Sequence, residues 1–169
     1  MLAVYRIISY LLIIVAGFFG LGVIMILGAA FSNPAVLLSV FLVGGVVLYS
    51  FASFQFLTKG IGKGQTMKPG RKDFIKVNAY VALFFGVMNL IQAITLIISP
   101  VGLKDAVDQF TKMPTVGSGF SPDQFYTMIQ AILWFLLIYA IALILHIQLT
   151  FRLLKIYASV FHSGDDRMS

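Results

Sequence analysis

His146 is the one imidazole inside an apolar segment of this chain, and its two nitrogens could ligate a haem or a metal ion, or pass on a proton. Each of those roles needs a second group. His162 lies 16 residues further on, past the end of the apolar run, and the chain has no cysteine and no glutamate. The acids are Asp73, Asp105, Asp108, Asp123, Asp165 and Asp166, all outside the apolar segments. A titrating carboxylate within the membrane is what proton-driven exporters use to couple ion binding to proton release, so that class is disfavoured. His146 is read first as a histidine hydrogen-bonded to a neighbouring helix or head group, and only weakly as a cofactor ligand. No cofactor and no metal is expected.

A nucleophile is equally hard to place. No GxSxG elbow marks a serine, and the absence of cysteine removes the thiol alternative. The stretch KGIGKGQTMKPGRKDFIK, Lys59 to Lys76, carries six of the twelve basic residues and invites comparison with a phosphate-binding loop. The spacing does not fit. Lys63 follows Gly62 but precedes Gly64, position 57 is leucine where the first glycine would stand, and no strand leads in. Aromatic residues are not interleaved with the cations, so base stacking and nucleic acid are not expected either. Lys63, Lys68, Arg71, Lys72 and Lys76 are read as drawn to anionic lipid head groups, at about 1 kcal/mol per residue near a membrane surface.

Polar residues within apolar segments form three further sets. Asn78, Asn89 and Gln92 share one stripe of a helix, because Asn89 falls about 20° from Asn78 and Gln92 about 40° to the other side. That stripe could line a polar path, although hydrogen bonding between helices explains it more simply. Gln130 and Gln148 share one face of the last apolar segment, whereas Tyr139, His146 and Thr150 lie nearly opposite. Two polar faces on one helix suggest either that the second meets another subunit or another copy, or that Tyr139, His146 or the glutamines reach interfacial water. Gly17, Gly20 and Gly28 lie along one face of the first segment, with Gly44 and Gly45 as the counterpart on the second, and small residues there permit close packing.

The elements that must carry these residues follow from composition. Of the chain's residues 60% are hydrophobic and 11% charged, with a mean hydropathy of +0.98, far from an ordinary soluble domain. Four apolar segments, residues 7–31, 34–58, 77–99 and 125–151, each match the roughly 17 to 25 residues that cross a hydrocarbon core. They lack the two-residue alternation of a barrel strand, and backbone groups in lipid must be satisfied internally, so helix is the expected form. Ile7 to Phe31 is also too long for the core of a signal peptide and is expected to be retained.

The connections are short. Ser32-Asn33-Pro34 only reverses direction, residues 59–76 form a glycine-rich basic loop, and residues 100–113 suggest a surface helix, with Leu103, Ala106, Val107, Phe110 and Met113 on one face. Pro114 to Gly119 reads as a flexible exit, Ser121 caps the last helix, and Asp165 to Ser169 reads as a frayed tail. Four spans put Arg6, the six loop cations, Arg152, Lys155 and Arg167 on one side, leaving only Lys104 and Lys112 on the other. The positive-inside rule then makes both termini cytoplasmic, with Tyr5, Tyr10, Tyr49, Tyr80 and Tyr157 as an interfacial belt.

The expected fold is therefore an all-α, integral membrane four-helix bundle, up-down-up-down, with the short amphipathic helix on the non-cytoplasmic side. Its expected place is the bacterial inner membrane. The function expected is non-enzymatic: an accessory or scaffold subunit of a larger membrane complex, or a homo-oligomer, associating through the fourth span and holding anionic lipid on its cytoplasmic face. The alternative is a passive or lipid-related transporter or channel that uses the Asn78, Asn89, Gln92 stripe. Such a fold hosts many functions and licenses none by itself.

Overall fold

The computed structural model describes residues 1–31, 33–111 and 121–161. Five α-helices account for most of them: α1 (Leu2–Ala30), α2 (Pro34–Gln55), α3 (Gly70–Ile98), α4 (Pro100–Thr111) and α5 (Pro122–Ile156). A π-helical turn, Phe56–Ile61, extends α2, and a 3₁₀ turn, Ala158–Phe161, follows α5; the described residues contain no strand. Four helices, α1, α2, α3 and α5, are long and apolar enough to cross a membrane. At 1.5 Å per residue the 35 residues of α5 reach about 52 Å, well beyond a hydrocarbon core of about 30 Å. Arg152 and Lys155, both exposed, occupy its far end.

The chain divides into two compact units. The first comprises residues 1–85 and 143–169, and its described part contains α1, α2, the first half of α3 and the end of α5. Its core is formed by Tyr5, Leu12, Val46, Tyr49, Phe56, Ile75, Leu143, Ile147, Leu153 and Leu154, each almost entirely buried. Neighbouring helices meet in specific pairs. Tyr10 touches Phe54 edge-on at 5.3 Å, the Arg71 guanidinium donates to Gln55 Oε1 at 2.7 Å, and Tyr80 meets Phe151 at 5.4 Å between ring centroids. At the end of the unit Phe161 stacks on Phe56 at 5.4 Å, and the Met67 N–H donates to the Val160 carbonyl at 2.7 Å.

The basic segment is shorter as a loop than its glycines suggest. The π turn and one further helical step carry α2 to residue 63, and α3 begins at Gly70, seven residues before the expected Val77. Glycine weakens a helix but does not forbid one near its ends, and Asp73 in the first turn of α3 suits the positive end of the helix dipole. Only residues 64–69 lie outside helix, and Gly64 makes the turn with φ +62°, a conformation other residues avoid.

The second unit, residues 86–142, holds the end of α3, α4 and the first part of α5. Ser99 interrupts the chain between α3 and α4, and its Oγ accepts the Gly102 N–H at 3.2 Å, so α4 has its own N-cap. Leu103 and Val107 are buried while Lys104, Asp105 and Asp108 are exposed, as an amphipathic helix requires. Ser121 and Gln124 close a reciprocal cap at the start of α5: Gln124 Oε1 accepts the Ser121 N–H at 2.9 Å, and Ser121 Oγ accepts the Gln124 N–H at 3.3 Å. Lys112, Met113, the glycine-rich exit and the C-terminal tail lie outside the described residues.

Candidate functional site

The polar centre of the first unit is built around His146. Its imidazole is completely buried, and both ring nitrogens meet hydroxyl groups: Nε2 lies 2.7 Å from Ser9 Oγ and Nδ1 lies 2.8 Å from Tyr49 Oη. Tyr49 Oη also lies 2.8 Å from Thr150 Oγ1, which is 3.4 Å from the Tyr5 hydroxyl. The Tyr5 O–H points at the Ser53 carbonyl from 3.5 Å. Helices α1, α2 and α5 each contribute, so these contacts tie three elements through side chains that leave no polar atom of the ring facing hydrocarbon.

Each helix supplies its part at one-turn spacing. Tyr5 and Ser9, Tyr49 and Ser53, and His146 and Thr150 are all four residues apart, the separation that places two side chains on one face. The hydroxyls are also anchored locally, with Ser9 Oγ donating to the Tyr5 carbonyl at 2.8 Å and Thr150 Oγ1 to the His146 carbonyl at 2.9 Å. Serine and threonine are tolerated inside spans because they can return a proton to the preceding turn in this way.

Counting protons shows what the arrangement can do. With a neutral imidazole, one chain of donors runs Thr150 to Tyr49 to Nδ1, then Nε2–H to Ser9 to the Tyr5 carbonyl. The reverse chain runs Ser9 to Nε2, then Nδ1–H to Tyr49 to Thr150 to the His146 carbonyl. Both contain four hydrogen bonds and differ in tautomer. Each terminates on a backbone carbonyl of its own helix. Along these bonds the network is a linear chain with a backbone carbonyl at each end, suited to holding three helices together. Both nitrogens are occupied, which leaves no free ligand position for a haem or metal. Among the described residues no group of three or more His, Asp or Glu is placed to hold a metal ion.

Two features differ from the sequence expectation. Tyr5 and Tyr49, expected in an interfacial belt, are fully buried, because each spends its hydroxyl on the interior network. Tyr10 and Tyr80 are exposed, and Tyr157 is half-buried. Of the polar face of α5 expected to carry Tyr139, His146 and Thr150, His146 and Thr150 are satisfied by α1 and α2 of the same chain. Gln148, by contrast, is exposed. It lines a groove of about 310 Å³ between α1 and α5 with Val4, Ile8, Leu145, Leu149 and Arg152.

The other candidate residues disperse. Asn78 is buried and donates from Nδ2 to the Phe74 carbonyl of its own helix at 2.8 Å. Asn89 is half-buried and Gln92 exposed, while Gln130 is exposed and Tyr139 buried beside Phe135, at 6.2 Å between ring centroids. Gly45 lies against Val81 of α3, where an added Cβ would come within 3.0 Å of the valine Cβ, and Gly20 faces Val47 of α2. Gly17, Gly28 and Gly44 have open space where a Cβ would go.

The cations fall into two clefts. Lys68 and Arg71 line one of about 530 Å³ with Leu48, Phe51, Gly70 and Phe74. Lys72 and Lys76 line another, of about 520 Å³, which they share with Lys155 of α5. Lys63 is exposed. Sequence reasoning missed the association of Lys155 with this pair, and it missed Ser9 altogether. The polar pairs at one-turn spacing in three different spans, all near the basic end, were the available signal for the network. Compared with protein-family models, with curated proteins and with solved structures, the chain matches none.

Proposed function

We propose that this protein is a non-enzymatic integral membrane interaction protein, an accessory or scaffold subunit of a larger membrane complex or a homo-oligomer, which associates through α5. The observation that carries this reading is the position of Gln148. Its neighbours His146 and Thr150 are saturated by the protein's own helices, whereas Gln148 looks outward into an apolar groove beside Arg152, one turn further on. Lipid tails cannot satisfy a carboxamide. A polar group on a partner helix would give this exposed amide a hydrogen bond, worth about 0.6 kcal/mol on average between membrane helices, and that supports association through this face.

The topology proposed with it is an up-down-up-down bundle with both termini cytoplasmic, in a bacterial inner membrane. The pairings Tyr10 with Phe54, Arg71 with Gln55, Tyr80 with Phe151 and Ser9 with His146 support alternating helix directions. The charge asymmetry supports the orientation. The transporter alternative has less support, because Asn78 spends its amide on its own helix rather than offering it to a path.

A photoreactive residue at Leu145, Gln148 or Ile8, activated in native membranes, tests the reading. A protein adduct of defined mass at all three positions is the expected result. Adducts with lipid alone would remove α5 as an interaction surface.

A further inference from the structure

We propose that the cleft between α3 and α5 binds the phosphate of one anionic phospholipid, held by Lys72, Lys76 and Lys155. Lys72, Lys76 and Tyr80 follow one another at four-residue spacing on α3, and Phe151, Leu154 and Lys155 occupy the facing side of α5. Together they line a cleft of about 520 Å³. Its two ends differ in chemistry. One carries the ammonium groups, and the other is the Tyr80–Phe151 pair, 5.4 Å apart, above buried Leu154.

Three ammonium groups around one cleft repel one another, and the structure supplies little compensation. Asp73 approaches Lys76 at 3.8 Å, but that carboxylate is 78% exposed and is a loose partner. The cleft therefore holds a net positive charge that a single phosphate would neutralise. Its apolar continuation along Tyr80, Phe151 and Leu154 fits the first methylenes of acyl chains, which a soluble phosphate lacks. Charge and polarity thus change along the cleft in the same order as along a phospholipid. Lys155 sets this site apart from a merely basic loop, since it comes from a helix more than 75 residues away in sequence. The site is independent of the partner reading above, which uses the groove between α1 and α5.

The experiment is native mass spectrometry of the full chain in mild detergent, offered phosphatidylglycerol or phosphatidylcholine with identical acyl chains. One retained phosphatidylglycerol is expected, with phosphatidylcholine retained at least about tenfold less. Neutralising one lysine should reduce retention about fivefold, so Lys155→Gln alone tests the site. Lys155→Arg should restore retention, and Lys63→Gln should leave it unchanged. Equal retention of the two lipids, or full retention in Lys155→Gln, would overturn the proposal. Displacement of the lipid by millimolar glycerol 3-phosphate would also overturn it, assigning the cleft to soluble phosphate esters; no displacement is expected. Variants are compared at equal helical circular dichroism, so that lost lipid is not lost fold.

Discussion

The Tyr5 ring lies flat on the His146 imidazole, with centroids 4.4 Å apart and planes 6° from parallel, and Tyr49 meets the same imidazole edge-on at 5.7 Å. One side chain of α5 is therefore packed by α1 and by α2 while it hydrogen-bonds to both. Packing and polarity cannot be separated at this point of the fold. The imidazole fills a gap between two tyrosines and joins the Ser9 hydroxyl of α1 to the Tyr49 hydroxyl of α2.

His146→Ala should consequently cost about 3 kcal/mol of stability, in the range of other large-to-small changes in packed interiors. Hydrogen bonds between helices in a membrane average only about 0.6 kcal/mol, so most of the loss comes from the cavity. His146→Gln should recover part of it. Reversible unfolding in mixed micelles gives the values, and a double-mutant cycle with Ser9→Ala should return a coupling of about 0.5 to 1 kcal/mol. A cycle that closes additively would show that Ser9 and His146 are neighbours without being partners.

Gly45 and Gly17 predict opposite outcomes for the same substitution. At Gly45 a methyl group would collide with Val81 of α3, and overpacking of this kind costs about 1 to 3 kcal/mol. At Gly17 there is open space, and alanine is favoured over glycine within a helix by up to about 1 kcal/mol. Thermal denaturation in detergent should show Gly45→Ala melting lower and Gly17→Ala unchanged or higher. Val81→Ala should restore Gly45→Ala, because it removes the methyl groups in the way.

Composition made the helical spans legible, since a 25-residue apolar run has few other solutions. The pairing of helices was less legible. Gly17, Gly20 and Gly28 share a face on paper, yet among the described residues only at Gly20 would an added Cβ meet another helix within 4 Å, as expected where packed helices touch along only part of a face. Tyr5 and Tyr49 show a second limit. A tyrosine near the end of a span reads as interfacial by its amphipathic ring, and only the hydroxyls supplied by two other helices reveal that it turns inward. Lys155 shows a third, since the residues that join it to Lys72 and Lys76 are brought together by tertiary packing alone.

Ser99 stands at the junction of α3 and α4, and its cap predicts a local effect. Ser99→Ala removes the acceptor for the Gly102 N–H and should cost about 1 kcal/mol at the start of α4. Hydrogen exchange should then accelerate about fivefold for the amides of Gly102 and Leu103 without change in the spans. An increase spread over α3 and α4 alike would mean that the two helices open as one unit.

The basic segment predicts orientation. With the proposed topology ten of the twelve cations share one side, and Lys68, Arg71 and Lys72 are the group nearest the start of α3. Charges close to a span end contribute most to its orientation during insertion, whereas acids contribute little. Replacing these three with glutamine should leave an insertion ensemble in which a fraction of molecules is inverted. Single cysteines at Gly64 and at Ser121, labelled with a membrane-impermeant reagent in intact cells, measure that fraction. In the unaltered protein Ser121 should label and Gly64 should not; in the triple variant Gly64 should begin to label. If Gly64 labels in the unaltered protein, the proposed orientation is inverted. Unchanged labelling in the triple variant would place the orienting charge elsewhere, among Arg6, Lys59, Lys63, Lys76, Arg152 and Lys155, which remain near span ends.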